Sequence, residues 1–113
     1  MAFADASWTQ SNVDVDRMGA HARKASELLK ALAHEGRLMI LCDLIRGEKS
    51  VGELEALLSR RQTSVSQQLA RLRLEGLVCA RRDGRMIYYS IANDKARSVI
   101  AALYASFCAP EGP

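Results

Sequence analysis

Two residue types in this sequence could carry chemistry: cysteine and arginine. The cysteines are Cys42, Cys79 and Cys108. They are too few and too widely spaced for the disulfide framework of a small secreted domain. In a reducing compartment each is a packing residue, a metal ligand or a redox-reactive thiol. No Cys-x-x-Cys and no glycine-rich phosphate loop occurs, and the only acid or histidine close to Cys42 in sequence is Asp43. A nucleophile with its base is therefore not visible, and an enzyme is the weaker reading.

The arginines are concentrated. Residues 60–85 hold seven (Arg60, Arg61, Arg71, Arg73, Arg81, Arg82 and Arg85) against two acids, Glu75 and Asp83, a local charge of +5. The remaining 87 residues carry nine basic and eleven acidic side chains, or −2, so the whole-chain +3 hides a patch. A basic quarter on a weakly acidic body points to a polyanion. A solvated arginine-rich surface is the plainer alternative. With only six aromatics in the chain, a base-stacking platform for single-stranded RNA is not expected.

The 113 residues are 49% apolar and 26% charged, with two Pro and seven Gly. That fits one domain and excludes a barrel or a full dinucleotide-binding enzyme. No apolar run approaches the roughly 20 residues of a membrane span. No basic start followed by an apolar stretch opens the chain, so a cytoplasmic protein with no membrane partner is expected.

Residues 1–16 read as a mobile N-terminal arm, 17–108 as the folded domain, and 109–113 as a tail. Met18, Ala22, Ala25, Leu28/Leu29 and Leu32 form one helical stripe. His34-Glu35-Gly36 is expected to break it. Leu38, Leu41, Cys42 and Ile45 give the second helix. Ser50 with Glu53 fits a capping box for a short third helix using Val51, Leu54 and Leu57/Leu58. Val65, Leu69 and Leu72 make the inner face of the fourth, which Gly76 closes. Leu77–Arg82 and Arg85–Ile91 read as strands joined at Asp83-Gly84. In the second strand Ile87, Tyr89 and Ile91 alternate with Met86, Tyr88 and Ser90. Asn93 or Asp94 caps a last helix through Phe107. The order α-α-α-α-β-β-α is mainly α: a helix-turn-helix followed by a hairpin, hence a winged helix.

In the fourth helix, about 100° per residue turns Thr63, Gln67 and Arg71 outward, with Ser64 and Ser66 on the flanks. Gln pairs well with adenine, and Ser and Thr with several base edges. Arg60, Arg61 and Arg71 suit phosphates, with Gln62 between them and the helix. The tip Arg81-Arg82-Asp83-Gly84-Arg85 is a cationic finger for a minor groove or a backbone. Double-stranded DNA is the expected partner. A winged-helix protein-interaction module would not need seven arginines there.

The stretches Leu28–Leu41, Thr63–Val78 and Arg81–Tyr89 together resemble the ArsR/SmtB winged-helix repressors, over roughly residues 20–108. Glu35 departs from the usual Pro of that family, and Gln68 from a frequent His. The resemblance implies a homodimer through the first and last helices, an operator with inverted half-sites, and release by an inducer. The stripe Met18–Leu32 and the residues Val99, Ile100, Leu103 and Phe107 offer apolar surface for such a dimer.

Many members of that family sense metals. One metal site has the pattern Cys-Val-Cys-Asp-Leu, where this chain reads Ser50-Val51-Gly52-Glu53-Leu54. Another uses Asp, His and Glu on the last helix, where this chain has no His and no acid after Asp94. His21 and His34 have no partner at a ligand spacing. No metal or cofactor is expected, and His34 suits capping or packing. One cysteine in the second helix and one at the end of the last resemble the persulfide-responsive branch of the family, of the SqrR and BigR type. That resemblance makes Cys42 and Cys108 the sensing pair. Reactive sulfur species would bridge them as a disulfide or polysulfide and release genes of the sulfide and persulfide response. Sensing of a metal or a general oxidant is the alternative. Cys79 is expected to pack, and Trp8 has no assigned role.

Overall fold

The structure is a computed structural model that describes residues 14–59 and 64–108, with the side chain of Cys108 outside the description. It divides into two units at Ala31/Leu32.

The first unit is most of helix α1 (Val15–Leu32). Asp14 starts it: its Oδ1 accepts from the backbone N–H of Asp16 at 3.0 Å and of Arg17 at 3.3 Å. Asp16 in the first turn and Lys30 in the last complement the helix dipole. The helix begins inside the stretch read from sequence as an arm. Its apolar residues Val15, Met18 and Leu29 are exposed.

The second unit holds α2 (Glu35–Ile45), β1 (Lys49–Ser50), α3 (Val51–Leu57), α4 (Val65–Leu74), β2 (Val78–Asp83), β3 (Met86–Ile91) and α5 (Asp94–Leu103). A π-helical turn, Tyr104–Cys108, ends it, where a continuous α-helix through Phe107 was expected. This is the winged-helix order, mainly helical with a small antiparallel sheet.

The break between the first two helices is shorter than expected. Only Ala33 and His34 lie outside helix, and Glu35-Gly36 already belong to α2. A carboxylate in the first turn suits the helix N-terminus, so Glu35 starts α2 rather than interrupting it. His34 occupies the N-cap position, but its side chain makes no cap hydrogen bond.

The buried face of α2 is Arg37, Ile40, Leu41 and Leu44. The expected stripe shares only Leu41 with it; Leu38, Cys42 and Ile45 are half-buried. The reason lies in the sequence itself. Every residue from Leu38 to Ile45 except Asp43 is apolar, so spacing alone does not choose the inner face. Packing of α2 against α5 and β3 makes the choice.

Ser50 and Glu53 form the expected capping box: Ser50 Oγ accepts from Glu53 N at 3.2 Å, and Ser50 N donates to Glu53 Oε1 at 3.0 Å. Leu54 and Leu58 are buried from α3, whereas Leu57 is exposed. Val65, Leu69 and Leu72 are buried from α4, as their spacing predicts. The helix ends in a Schellman motif. Gly76 has φ +76, its N–H bonds to Arg73 O, and Leu77 N–H reaches Leu72 O.

The sheet order is β1-β3-β2, so β3 is central. The two-residue β1 is not evident from sequence; it pairs Lys49 with Tyr89 and Ser50 with Tyr88. Tyr88, Tyr89 and Ser90 of β3 are all half-buried, where the sequence pattern predicts alternation. Pairing of β2 with β3 runs from Val78↔Ile91 to Asp83↔Met86. The hairpin loop is therefore Gly84-Arg85, one residue later than Asp83-Gly84. Gly84 supplies φ +61 at the first loop position, where a tight hairpin needs it. Asn93 caps α5 by accepting from Ala96 N at 2.9 Å. Ala96 and Ile100 are the buried residues of α5; Val99 and Leu103 are half-buried and Phe107 is exposed.

Candidate nucleic-acid interface and thiols

Helix α4 presents a polar outer face. Ser64 is its N-cap, with Oγ accepting from Gln67 N at 3.3 Å. Ser66, Gln67 and Arg71 are exposed, Gln67 and Arg71 on the side away from Val65, Leu69 and Leu72 and Ser66 on its flank. The guanidinium of Arg71 stands 3.8 Å from Glu75 Oε1 and its side chain is 71% exposed, so it stays open to an anion. Arg60, Arg61, Gln62 and Thr63 lie outside the described residues.

The inner edge of α4 is tied to α2 by a buried charge. Arg37 Nε donates to Gln68 Oε1 at 3.3 Å, and Nη1 donates to Glu75 Oε2 at 3.1 Å. The Arg37 side chain is 6% exposed. Sequence reasoning missed it. The usable signal was a charge at the first position of an i, i+3, i+4, i+7 series with Ile40, Leu41 and Leu44.

On the wing, Arg82 and Arg85 are exposed and carry no ion pair among the described residues. Arg81 differs. Its Nη2 and Nε donate to Glu48 Oε1 and Oε2 at 2.7 and 3.0 Å, a two-point fork. Its guanidinium also lies 5.0 Å from the Tyr88 ring centre and 3.8 Å from Asp83. The Arg81 hydrogen bonds hold the Glu48 carboxyl below its ordinary pKa, and Glu48 raises that of Arg81. Glu48 precedes β1, so the pair joins the α2–β1 connection to the wing. Sequence reasoning did not single out Glu48, because 33 residues separate the partners.

Cys42 is half-buried in α2. The packing role expected for Cys79 is not what the structure shows: Cys79 is exposed, with Sγ 3.3 Å from Ser90 Oγ on the paired strand. Its neighbour Val78 takes the inward position on β2. The relation of Cys42 to the Cys108 thiol lies outside the described residues. Among those residues no group of three or more His, Cys, Asp or Glu could hold a metal. Among the described residues no helix is long and apolar enough to cross a membrane.

Residues 34–79 match the family described as bacterial regulatory protein, arsR family. The chain is 52% identical over 99 residues to the biofilm growth-associated repressor of Agrobacterium fabrum, covering 88% of this chain and 85% of that one. Its fold is similar to the crystal structure of the transcriptional repressor BigR from Xylella fastidiosa, with a TM-score of 0.78 at 42% identity, over 88% of this chain and 99% of that chain. It is also similar to the transcriptional regulator HlyU from Vibrio vulnificus, with a TM-score of 0.79 at 41% identity, over 85% and 100% of the two chains.

Proposed function

Because this chain belongs to the arsR family of bacterial regulatory proteins, we propose that α4 and the wing are the surfaces with which it reads its operator. We propose further that a bridge between Cys42 and Cys108 releases it. The protein itself is a DNA-binding transcriptional repressor of the BigR type, not an enzyme.

One observation carries the interface. The polar face of α4 (Ser64, Ser66, Gln67, Arg71) and the wing-tip charges Arg82 and Arg85 are exposed, while the apolar side of α4 is buried. Gln67 and the serines suit base edges in a major groove. Thr63 belongs with that base-reading group, beside Gln62, while Arg71, Arg82 and Arg85, with Arg60 and Arg61, suit phosphates and a minor groove. Arg81 is already held by Glu48, so it braces the wing, and Arg82 and Arg85 are its open charges. Homodimerisation through α1 and α5 would double this surface for an inverted repeat. The exposed Val15, Met18 and Leu29 of α1 support that reading.

The release step is ordinary sulfur exchange. A Cys42 thiolate attacks the sulfane sulfur of a persulfide, forming Cys42–S–SH and expelling the donor thiolate. The Cys108 thiolate then attacks the inner sulfur, closing a disulfide and expelling hydrosulfide. Two persulfidated cysteines instead condense to a trisulfide with loss of hydrogen sulfide. The half-buried setting of Cys42 supports the pairing, since a thiol sheltered in α2 couples its chemistry to packing. The regulated genes would then belong to the sulfide and persulfide response.

Intact mass after glutathione persulfide, run beside duplex binding in a salt series, tests both parts. A bridge joining Cys42 to Cys108 together with lost binding supports release. Unchanged affinity after full bridging, a normal response from Cys42→Ser, or equally fast closure by peroxide overturns persulfide sensing.

A further inference from the structure

Arg37 is the only buried charged side chain among the described residues. A guanidinium out of water is costly unless its donors are taken up, so its partners state what it is for. Nε and Nη1 both go to α4 or its cap. Gln68 lies on the first turns of that helix and Glu75 is the C-cap residue. Seven residues separate them, about 10 Å along a helix axis. One rigid fork on α2 therefore grips α4 near both ends.

The other contacts of α4 among the described residues are of another kind. Val65, Leu69 and Leu72 are held by apolar packing, which is strong but non-directional. Such packing resists removal of the helix better than it resists rotation about its axis. Two charge-assisted hydrogen bonds to a planar group do resist rotation. Base-edge recognition needs side chains placed within roughly 0.5 Å and 10–20°. Gln67 adjoins Gln68 on the same turn, so an error in one is passed to the other.

Glu75 adds an electrostatic link. Its Oε2 accepts from Arg37 and its Oε1 faces Arg71 at 3.8 Å. The shorter of the two contacts is the one to the buried Arg37. Without it that carboxylate is left to Arg71, on the surface that meets phosphates.

We propose that Arg37 is a positioning residue for DNA recognition, fixing the rotation of α4 through Gln68 and Glu75. The proposal rests on the reading of α4 as the base-reading helix. Buried ion pairs contribute little net stability compared with apolar replacements, and their best-attested use is to fix register. Arg37 therefore acts on discrimination between sequences rather than on affinity for DNA in general.

The test uses the full chain and two duplexes: one selected by the wild-type protein from a random pool of about 20 bp, and one unselected of equal length. Arg37→Met, Arg37→Lys, Glu75→Gln and the Arg37→Met/Glu75→Gln pair are compared, with folding checked by circular dichroism. The selected-to-unselected affinity ratio falls about tenfold in Arg37→Met and by less in Arg37→Lys, which keeps the charge without the fork. Glu75→Gln lowers it too, and the double variant falls by less than the product of the singles. Equal weakening on both duplexes, or an unchanged ratio in the folded variants, overturns the proposal. Should Arg37→Met not fold, Arg37→Lys and Glu75→Gln carry the test. A Gln67→Ala/Arg71→Ala variant separates the two readings. If it leaves the ratio intact, α4 is not the base reader; if it collapses the ratio while Arg37→Lys and Glu75→Gln do not, positioning alone fails.

Discussion

Arg81 and Glu48 form a two-point ion pair across 33 residues of sequence, with N–O distances of 2.7 and 3.0 Å. The pair joins the wing to the segment that follows α2. Because hydrogen bonds from Arg81 depress the Glu48 pKa, the folded state favours the ionised carboxylate. The stabilisation is present above the unfolded carboxylate pKa and is lost as pH falls through the lowered folded value. Carboxyl NMR titration should find Glu48 below the usual Glu range in the wild type. In Arg81→Met it should return to ordinary values; an unmoved titration would show that the pair does not persist in solution.

The wing-tip charges predict a salt signature. Each phosphate contact removed lowers the slope of log affinity against log salt by about 0.9. Arg82→Ala and Arg85→Ala should each reduce the slope by about that amount and weaken selected and unselected duplexes alike. Wild-type slopes in both would remove the wing from the interface.

Gly76 and Gly84 occupy left-handed conformations, at φ +76 and +61, with open space where a Cβ would go. Only backbone strain opposes substitution. Ala at either site should cost about 1–2 kcal/mol, read as a lower urea midpoint at unchanged m-value. A smaller loss for Gly84→Ala than for Gly76→Ala would mean that the hairpin loop relaxes.

The cysteines should separate by accessibility. Cys79 is exposed and Cys42 half-buried, so iodoacetamide should reach Cys79 before Cys42 in the reduced protein. Cys79→Ser should leave persulfide-dependent release within about twofold of wild type, since its hydroxyl can still meet Ser90. Cys42→Ser should abolish release. A Cys79→Ser variant that no longer responds would move the sensor to the wing.

How much the sequence disclosed depends on the range of the interaction. Capping by Ser50 and Asn93, the Gly76 stop and the inner face of α4 were legible because each is decided within a few residues. Places where two periodicities fit equally were misread. The apolar run Leu38–Ile45 offers several faces, and tertiary packing selected the one that includes Arg37. The hairpin loop moved by one residue because either dipeptide places Gly84 in it. Arg37–Glu75 and Arg81–Glu48 were invisible for a different reason. Their partners are far apart in sequence, and nothing local marks one arginine as paired and another as open. The arginine cluster was found, but its division into bracing and exposed members was not.

The strand order β1-β3-β2 has a consequence for solubility. It leaves β2 as a sheet border, bonded along one side to β3. A free border of that kind is a template for stacking against another molecule. Here its outer half reads Arg81-Arg82-Asp83, three charges in succession. They make the border a poor partner for a second strand, so edge-to-edge pairing of two such sheets is opposed.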